Sequence, residues 1–422
     1  MRVCGRFLDT RPLRGSRPFR DLWIGSSASQ LGGQIATVAV LAQVWDLTGS
    51  PVGTGAIGLA TGVPMVLFGL LGGTLADTVD RRAVVRATTA GQLLAAVGLC
   101  VQAAVGNRSV LVLLALVALG AACGALGAPA RRTFPVRLLP ADQVAASLAL
   151  TNVSFQAAML AGPALAGLVI ARWDFSAAYA AQAVAVAVSA LAVTRLPSMK
   201  PEGTDGGAGG RRRAERGGWR IVLRRPTLWG SMATDLSATL LAMPIALFPL
   251  VNEIRFDGDP QTLGLFLSAV AVGGITAGLL SGTVTRLRRS GLVQLTAAGV
   301  WGLALAGFGL AVAGAADTVS VVSRSALVQL ETPDAYRGRV SSVEHVIGVA
   351  GPELGNFRGG LLASVTSAPF ALVIGGLSAT AAVAVVAATN SSLRAYRTSR
   401  GAVESSPPRA DDAAPAPATG QA

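Results

Sequence analysis

The sequence contains very few of the side chains that carry out metal or nucleotide chemistry. It has a single histidine, His345, a single lysine, Lys200, and three cysteines, Cys4, Cys100 and Cys123. One histidine excludes the H-E-x-x-H motif of zinc proteases, and no G-x-x-x-x-G-K-[ST] loop is present for nucleotide binding. The cysteines have neither the number nor the spacing of a disulfide framework or a zinc site. The sequence therefore disfavours a zinc enzyme and an ATP-driven pump, and we expect no cofactor or metal.

Charged residues are also scarce, and this excludes an ordinary soluble globule. Only 14% of the residues are charged while 52% are hydrophobic, and the mean hydropathy is +0.56. Too few polar groups are present to cover a soluble protein of 422 residues. Apolar stretches instead continue for about 20 residues, which is the length that a helix needs to cross a bilayer. The pattern predicts an all-α integral membrane protein surrounded by lipid.

The apolar stretches, and the Gly, Pro and Arg residues between them, predict twelve spans in two groups of six. The first group covers residues 22–44, 53–75, 86–105, 110–130, 144–170 and 175–195, and the second covers 227–250, 262–284, 291–309, 312–330, 340–364 and 368–390. The composition of the segments around them predicts flexible chain. The predicted domains are a basic N-terminus at 1–21, a bundle at 22–195, a linker at 196–226, a bundle at 227–390 and a disordered tail at 391–422.

The net charge of +13 has two possible explanations, nucleic-acid binding and membrane topology. The arginines form short clusters in every second connection between the spans, whereas connections such as Asp46 to Ser50 and Glu253 to Asp259 are acidic or mixed. This alternation follows the positive-inside rule. It predicts a multi-pass protein of the plasma (inner) membrane with both termini in the cytoplasm, and no nucleic-acid partner.

Two stretches of the chain resemble each other. Gly120–Val144 can be laid on Gly314–Val340, since each begins with Gly-Ala-Ala, has an arginine further on and ends near a turn with proline. Parallel repeats of this kind recur in transporters. The second half is shortened around its ninth and tenth spans. Either two short helices meet at Gly314, or this half is damaged and the protein transports poorly.

A tight turn with charged residues follows the second span. It contains Gly73, Asp77, Arg81 and Arg82. From the residues alone, it is either an ordinary topogenic loop or a clamp between neighbouring helix ends. The stretch resembles the loop signature of the major facilitator superfamily, G-x-L-a-D-r-x-G-r-r, with Thr78 and Asp80 at two departures from it. The resemblance implies that the acid and the arginines stabilise one conformation by bridging helix ends within a half.

The fifth span contains a proline among small residues, Gly162, Pro163 and Gly167. Such a sequence kinks a helix and permits close contact with its neighbours. It resembles the antiporter motif of superfamily exporters, with Ala166 replacing one glycine. From about residue 17 to 390 the chain resembles the enterobactin-exporter-like branch of the superfamily. The resemblance implies the major facilitator fold of two six-helix bundles.

Ionisable residues within spans are costly in lipid and often line a cavity or a proton path. Asp235 in the seventh span, with Glu353 and Glu344 in the eleventh, are the candidates for proton coupling. Asp235 is alternatively a helix-entry residue near the headgroups, and Glu353 either pairs with Arg358 or acts as a gate or coupling site. Glu344 and Glu353 project from opposite faces of a helix, so they cannot both face one cavity.

Further polar residues are candidates for lining a cavity. They are Gln30, Gln34, Asn152, Gln156, Asp317 and Arg324. The amides recur at helical spacing in the first and fifth spans, where such stripes either join helices or line a substrate path. Asp317 and Arg324 share one face of the tenth span and are a candidate intramembrane pair.

These features together predict a secondary active transporter that exports small amphipathic molecules such as drugs or siderophores. The expected driving force is a proton gradient, and the expected mechanism is rocking of two bundles about a central site. The main alternative is a non-transporting or decayed membrane scaffold. An intramembrane enzyme is less favoured, because no nucleophile and base have a persuasive arrangement. No feature indicates an oligomeric state.

Overall fold

The computed structural model describes residues 10–196, 220–279, 289–332 and 337–397. The twelve principal helices of these residues are α1 Arg17–Thr48, α2 Pro51–Thr78, α3 Arg81–Ala104, α4 Val110–Leu138, α5 Ala141–Arg172, α6 Phe175–Thr194, α7 Pro226–Phe256, α8 Pro260–Leu279, α9 Ser290–Ala306, α10 Leu310–Glu331, α11 Arg337–Val365 and α12 Ala368–Thr389. Within α7, a break with a short 3-10 turn, Ile245–Leu247, separates Pro226–Ala242 from Phe248–Phe256. Shorter helices form at Arg11–Gly15, 220–224 and Ser391–Ala395.

Nine of the helices in the described ranges are long and apolar enough to cross a membrane by length and composition. The other three are α1 and α11, which carry more polar residues, and α9, which has 17 residues. A helix of that length reaches about 25 Å, slightly less than the hydrocarbon thickness of a bilayer. The predicted all-α membrane fold is therefore confirmed in the part of the chain that the structure describes.

Local side-chain chemistry determines where several helices begin. The Ser16 hydroxyl accepts a hydrogen bond from the Phe19 amide at the start of α1, and the Asp174 carboxylate does the same for the Ala177 amide at the start of α6. Such caps satisfy amide groups that have no partner within the helix. Gly49, with a φ of 55°, ends α1 in the left-handed conformation that glycine adopts without strain.

Ordered structure extends beyond the predicted bundle limits. Helix α1 begins at Arg17 rather than at residue 22, and residues 220–224 form a helix inside the predicted linker. Inside the predicted tail, Asn390 caps Ser391–Ala395, and Leu393 of that helix is fully buried. Hydropathy does not detect such ends, because polar helix termini lie outside the hydrocarbon. The rest of the predicted linker and tail, 197–219 and 398–422, lies outside the described residues.

The two halves, α1–α6 and α7–α12, repeat one pattern of helix packing. In the first half, α1 packs on α5 and α6, α3 packs on α4 and α6, and α2 packs on α4. In the second half, α7 packs on α11 and α12, α9 packs on α10 and α12, and α8 packs on α10. Each of these five packed helix pairs in the first half therefore has an equivalent pair in the second half, formed by the helices six positions later in the chain. The similar sequence stretches begin at Gly120 in α4 and Gly314 in α10, which are corresponding helices.

The shortened region still contains two helices. Helices α9 and α10 are joined by Gly307, Phe308 and Gly309, and Phe308 has a φ of 56°. The expectation that the helices meet at Gly314 is wrong. Gly314 lies inside α10, where it contacts the Val270 carbonyl of α8. A glycine is needed there because any side chain would overlap that carbonyl.

Successive helices alternate in direction, so the described helix ends that adjoin the arginine clusters lie at one end of the molecule, here called the arginine end. They are the last residues of α2, α4, α6 and α10 and the first residues of α3, α5, α7 and α11. Polar contacts join helix ends there. Arg195 lies 3.6 Å from Asp21, and Arg82 donates to the Thr194 carbonyl at 2.7 Å. The α1–α2, α5–α6, α7–α8 and α11–α12 connections lie at the opposite end.

Candidate functional site

The two halves meet towards the opposite end, where α2 packs on α11. Gly55 of α2 lies against the Phe357 backbone, and Gly360 of α11 lies against the Pro51 carbonyl. These glycines allow the two backbones to approach closely. The Thr54 hydroxyl donates a 2.7 Å hydrogen bond to the Ala246 carbonyl in the break of α7. Helix α2 is therefore joined to two helices of the second half.

A matching contact joins α5 to α8. Gly264 of α8 packs on the Pro163 carbonyl, and Gly167 of α5 packs on the Pro260 carbonyl. The Ser268 hydroxyl donates a 3.0 Å hydrogen bond to the Leu160 carbonyl. This contact corresponds to the α2–α11 contact under the six-helix repeat. Together the two contacts close the space between the halves at the opposite end.

A cavity of about 450 Å³ lies in the first half, and α1–α6 form most of its wall. The second half contributes Ile245 and Ala246 from the break of α7, with Glu353 and Asn356 from α11. The polar groups of the wall are mostly neutral and include Gln30, Gln34, Gln92, Gln182, Thr37 and Thr61. Among the described residues of this wall, Glu353 alone has an ionisable side chain. Apolar surface with a few polar groups is typical of small-molecule sites.

Glu353 lies where α11 crosses α2. Gly58 and Gly62 of α2 leave room for its backbone and Cβ, and its carboxyl lies beside Thr61 and Asn356. The possible partner Arg358 donates instead to the Leu241 carbonyl at 2.7 Å. Within the described residues, Glu353 therefore faces the cavity without a cation in ion-pair contact.

In the break of α7, side chains of α11 form hydrogen bonds with backbone groups that have no partner within the helix. Pro244 and Pro249 lie in or next to this break, and proline cannot donate the hydrogen bond that continues a helix. Arg358 binds the freed Leu241 carbonyl. The side-chain oxygen Oδ1 of Asn356 accepts a hydrogen bond from the Ala246 amide at 3.2 Å. An interrupted helix is tolerated within a bilayer where such partners exist and where it lines a cavity.

A cluster of charged side chains lies inside the second half. Arg324 of α10 contacts Asp235 of α7 through Nη1, and its Nε is 3.4 Å from Glu344 Oε1 of α11. Ser325 also donates to Glu344, at 3.4 Å. Asp317, two turns before Arg324, interacts with the charges of Asp235 and Arg324. Asp235 and Arg324 are only 6% and 8% exposed. Two acids are thus paired with one arginine, and the third acid, Asp317, lies close enough to interact with their charges.

This cluster differs from the candidate pair of Asp317 with Arg324. In the described residues the ion pairs of Arg324 go to Asp235 and Glu344, which lie on other helices. Two residues on one helix face are close in sequence, but packing of α7 and α11 brings the better-placed carboxylates to the guanidinium. Asp235 follows nine positions of α7, roughly 13 Å along the helix axis, and is buried.

In the interior of the first half, side-chain amides and hydroxyls form hydrogen bonds that join helices. The Gln43 side-chain oxygen accepts from Gln102 at 2.9 Å and from the Tyr179 hydroxyl at 2.8 Å, which joins α1 to α3 and α6. At the arginine end of α4, Arg131 donates to Thr89 at 2.6 Å and to Gln92 at 3.0 Å. Among the described contacts of Arg131, both partners are neutral.

Comparison with known proteins identifies the family. Residues 10–411 match the family model of the transmembrane secretion effectors, MFS_3. The chain belongs to this family. It is therefore a multi-pass membrane transporter of the major facilitator superfamily, as the loop and fifth-span motifs indicated.

Curated relatives of this secretion-effector chain are enterobactin exporters. The enterobactin exporter EntS of Citrobacter koseri is 25% identical over 377 residues, which cover 85% of this chain and 90% of the relative. EntS of Shigella flexneri is 24% identical over the same shares. These relatives confirm the resemblance to the enterobactin-exporter-like branch.

Solved transporter structures share the fold of the secretion-effector chain. The nucleoside transporter NupG has a TM-score of 0.66 at 15% identity, and covers 88% of this chain and 98% of its own. The peptide transporter POT in complex with sulfate has a TM-score of 0.69 at 11% identity, with coverage of 90% and 95%. At these identities the likeness shows the fold alone, and it confirms the predicted major facilitator fold.

The loop motif of the secretion-effector chain lies where helices α2 and α3 meet. Gly73 and Asp77 lie near the end of α2, where the structure describes the backbone of the helix but not these side chains. Arg82 bridges α3 to α6 through Thr194, a contact between helix ends within one half. Asp80, at the position where the signature has glycine, caps α3 by accepting from the Arg82 amide at 2.9 Å.

The fifth-span motif lies between three helices. Gly162 packs on the Gln34 side chain of α1. Gly167 and the Pro163 carbonyl form the contact with α8 described above. The motif therefore serves packing both within the first half and across the two halves, and a side chain at Gly162 or Gly167 would overlap its neighbour.

The candidate cavity residues divide into two sets. Gln30 and Gln34 line the cavity. Four others do not belong to its wall, namely Asn152, Gln156, Asp317 and Arg324. Helix α5 presents Phe155 to the cavity instead, and Asn152 is exposed. Gln92 and Gln182 also line the cavity. They were missed from sequence because each is an isolated amide in an apolar span and lacks the helical spacing that identified Gln30 and Gln34.

Proposed function

We propose that this transporter exports small amphipathic molecules from the cytoplasm in exchange for protons, by alternating access to its cavity. The family and its transporter relatives support the class of function. The enterobactin exporters among those relatives support outward transport. The cavity, with its neutral polar groups on an apolar wall, supports a small amphipathic cargo.

The charge cluster of the second half is the observation that carries the proton coupling. If all of its acids were ionised, Asp235, Asp317 and Glu344 would bring three negative charges against the single positive charge of Arg324. Uncompensated charge in a bundle interior costs several kcal/mol, because the surroundings solvate it poorly. A proton bound by one of the acids removes part of that cost. The cluster therefore has the composition of a site that binds and releases protons.

The closed end supports alternating access. By the positive-inside rule, the arginine end faces the cytoplasm, and both termini with it. The α2–α11 and α5–α8 contacts then seal the cavity from the outside of the inner membrane. Release of cargo requires these two contacts to separate while the arginine end closes. Because they are equivalent under the repeat, a rocking motion of the halves separates both at once.

Proton-driven accumulation in inverted membrane vesicles tests this proposal. Vesicles with an acidic interior are given fluorescent drugs and a siderophore, with wild type, Asp235→Asn and Glu253→Gln compared. Glu253 is an exposed acid outside the cluster, so its variant controls for loss of one charge. We expect wild type and Glu253→Gln to accumulate at least one compound, and Asp235→Asn to lose the dependence on the gradient.

Two results would contradict the proposal of proton-coupled export. Undiminished gradient-driven accumulation by Asp235→Asn would exclude the cluster as the coupling site. A folded wild-type protein that moves none of the compounds would favour the non-transporting scaffold instead.

A further inference from the structure

The cavity wall presents one ionisable group and surrounds it with neutral ones. Glu353 is that group among the described lining residues. Helix α2 faces it with Gly58, Thr61 and Gly62. Helix α7 contributes the backbone of Ala246 nearby, bound to Asn356. None of these groups is charged, so nothing in the described wall compensates a carboxylate.

Two arginines that adjoin the described wall are already engaged elsewhere. Arg358, on the same helix as Glu353, binds the Leu241 carbonyl in the break of α7. Arg131 binds Thr89 and Gln92 on α3 and is not itself a lining residue. No described residue thus supplies a counter-ion to Glu353, which leaves a proton or a cationic group of the cargo for that role.

The remaining wall suits the body of such a cargo. Leu99, Leu116, Val117 and Phe155 supply apolar and aromatic surface, and the amides of Gln30, Gln34, Gln92 and Gln182 supply neutral hydrogen-bonding groups. An anionic group in this cavity would be repelled by an ionised Glu353 and would find no cation among the described lining residues. A cationic group would remove the desolvation cost of the carboxylate.

We propose that the cargo of this cavity is an amphipathic organic cation and that Glu353 is its counter-ion. The proposal rests on the proposed export function and names its substrate class, which differs from an anionic siderophore. When the cation leaves, the Glu353 carboxylate takes up a proton, and when a cation enters, that proton departs. The net charge of the cavity is then the same in both states.

Binding of tetraphenylphosphonium to the purified full-length protein tests the proposal. This probe carries a permanent positive charge, so a change of pH alters the protein and not the ligand. We expect Glu353→Gln to weaken its binding at least tenfold, Glu353→Asp to retain part of it, and Glu253→Gln to leave it unchanged. Uncharged triphenylphosphine oxide should bind wild type and Glu353→Gln equally.

A measurement on wild type alone covers the case in which Glu353→Gln fails to fold. Protons and the permanent cation compete for one carboxylate, so tetraphenylphosphonium should bind more weakly as the pH falls. Binding that is independent of pH, or equal in a folded Glu353→Gln, would overturn the proposal.

Flux assays separate failure of this inference from failure of the proposed function. Gradient-driven transport of a catecholate siderophore without transport of tetraphenylphosphonium would overturn the cation class and leave proton-coupled export intact. Transport of neither compound, nor of any drug in the panel, would overturn export itself and this inference with it.

Discussion

The two halves of the molecule share their helix packing but differ in the chemistry of their interiors. In the first half, Gln43 joins three helices through neutral hydrogen bonds to Gln102 and Tyr179. In the second half, charges lie between α7, α10 and α11, with Arg324 held between Asp235 and Glu344. The repeated helix packing therefore surrounds two different interiors, a cavity lined mostly by the first half and a group of acids around one arginine in the second.

Helix α11 connects these two regions. Its residues Glu344 and Glu353 are separated by nine positions, roughly 13 Å along the axis, and point to opposite faces. Glu344 contacts Arg324 and Ser325 of α10, whereas Glu353 reaches the cavity beside α2. A movement of α11 as a rigid rod would change both environments together. This geometry offers a physical route by which proton binding in one half alters the cavity in the other.

The strongest test of the contrast between the halves removes one arginine from each. We expect Arg324→Met to cost roughly 3–5 kcal/mol of unfolding free energy, because it leaves buried acids without their base. It should also abolish proton-driven accumulation in vesicles. Arg131→Met removes a cation with neutral partners and should cost only about 1–3 kcal/mol. Denaturant unfolding of the purified variants gives both values, and equal losses would contradict the contrast.

A second variant checks the origin of the Arg324 effect. Adding Asp235→Asn to Arg324→Met removes an acid that the lost arginine had compensated. The double variant should therefore recover part of the stability but none of the proton-driven accumulation. A double variant less stable than Arg324→Met would mean that the ion pair is not the source of the loss.

The next test concerns the contact between the halves. Gly264→Val places a side chain against the Pro163 carbonyl and should force α5 and α8 apart. A cysteine in place of Ser268, in a background without the native cysteines, should then react faster with a membrane-impermeant maleimide, by an order of magnitude or more. Gly299→Val is the matched control, since nothing lies within 4 Å of a Cβ at that position.

The opposite outcome of the maleimide assay is equally informative. Unchanged reactivity in Gly264→Val, with the control also unchanged, would mean that the α5–α8 contact does not control access from the opposite end. The proposed sealing of the cavity would then depend on α2 and α11 alone.

The sequence predicts most of this fold because apolar runs and arginine clusters act locally. Each span needs only its own residues to be recognised, and the alternation of arginines then orders the spans. The break in α7 could not be predicted in the same way. Its freed Leu241 carbonyl is acceptable only because Arg358, far along the chain, donates to it. The turn at Phe308 was likewise misplaced to Gly314, since a glycine can mark either a turn or a close helix contact.

The candidate site was predicted less completely, and rotation of helices explains why. Glu353 and Gln34 stand out from sequence as polar residues in apolar spans, and both reach the cavity. Asn152 has the same sequence signal but lies on an exposed face of α5, whose cavity-facing residue is Phe155. The sequence of a span shows which residues form its polar face. It does not show whether that face points towards the cavity, towards another helix or outward, because helix packing determines this. The charge cluster required the packing of α7, α10 and α11 together.

A smaller effect should follow from changes in the neutral network of the first half. Gln43→Leu removes the acceptor that Gln102 and Tyr179 share, and leaves buried donors unpaired. We expect a loss of about 1–3 kcal/mol in unfolding free energy. Tyr179→Phe removes one bond only and should cost about 1 kcal/mol. The dependence of vesicle accumulation on the proton gradient should persist in both variants, because neither touches an ionisable cluster; its loss would place coupling in the first half as well.

The smallest effect is expected where the two halves are most alike in their charges, at the arginine end. Arg225 pairs with Glu331 at 3.2 Å in the second half, and Arg195 pairs with Asp21 at 3.6 Å in the first. The arginines are 41% and 72% exposed, so water screens both pairs. Glu331→Gln and Asp21→Asn should each change the unfolding free energy by less than about 1 kcal/mol, and raised salt should reduce the difference from wild type. A salt-independent loss several times larger in Glu331→Gln would show that the charge dependence of the second half reaches its surface and is not confined to the buried cluster around Arg324.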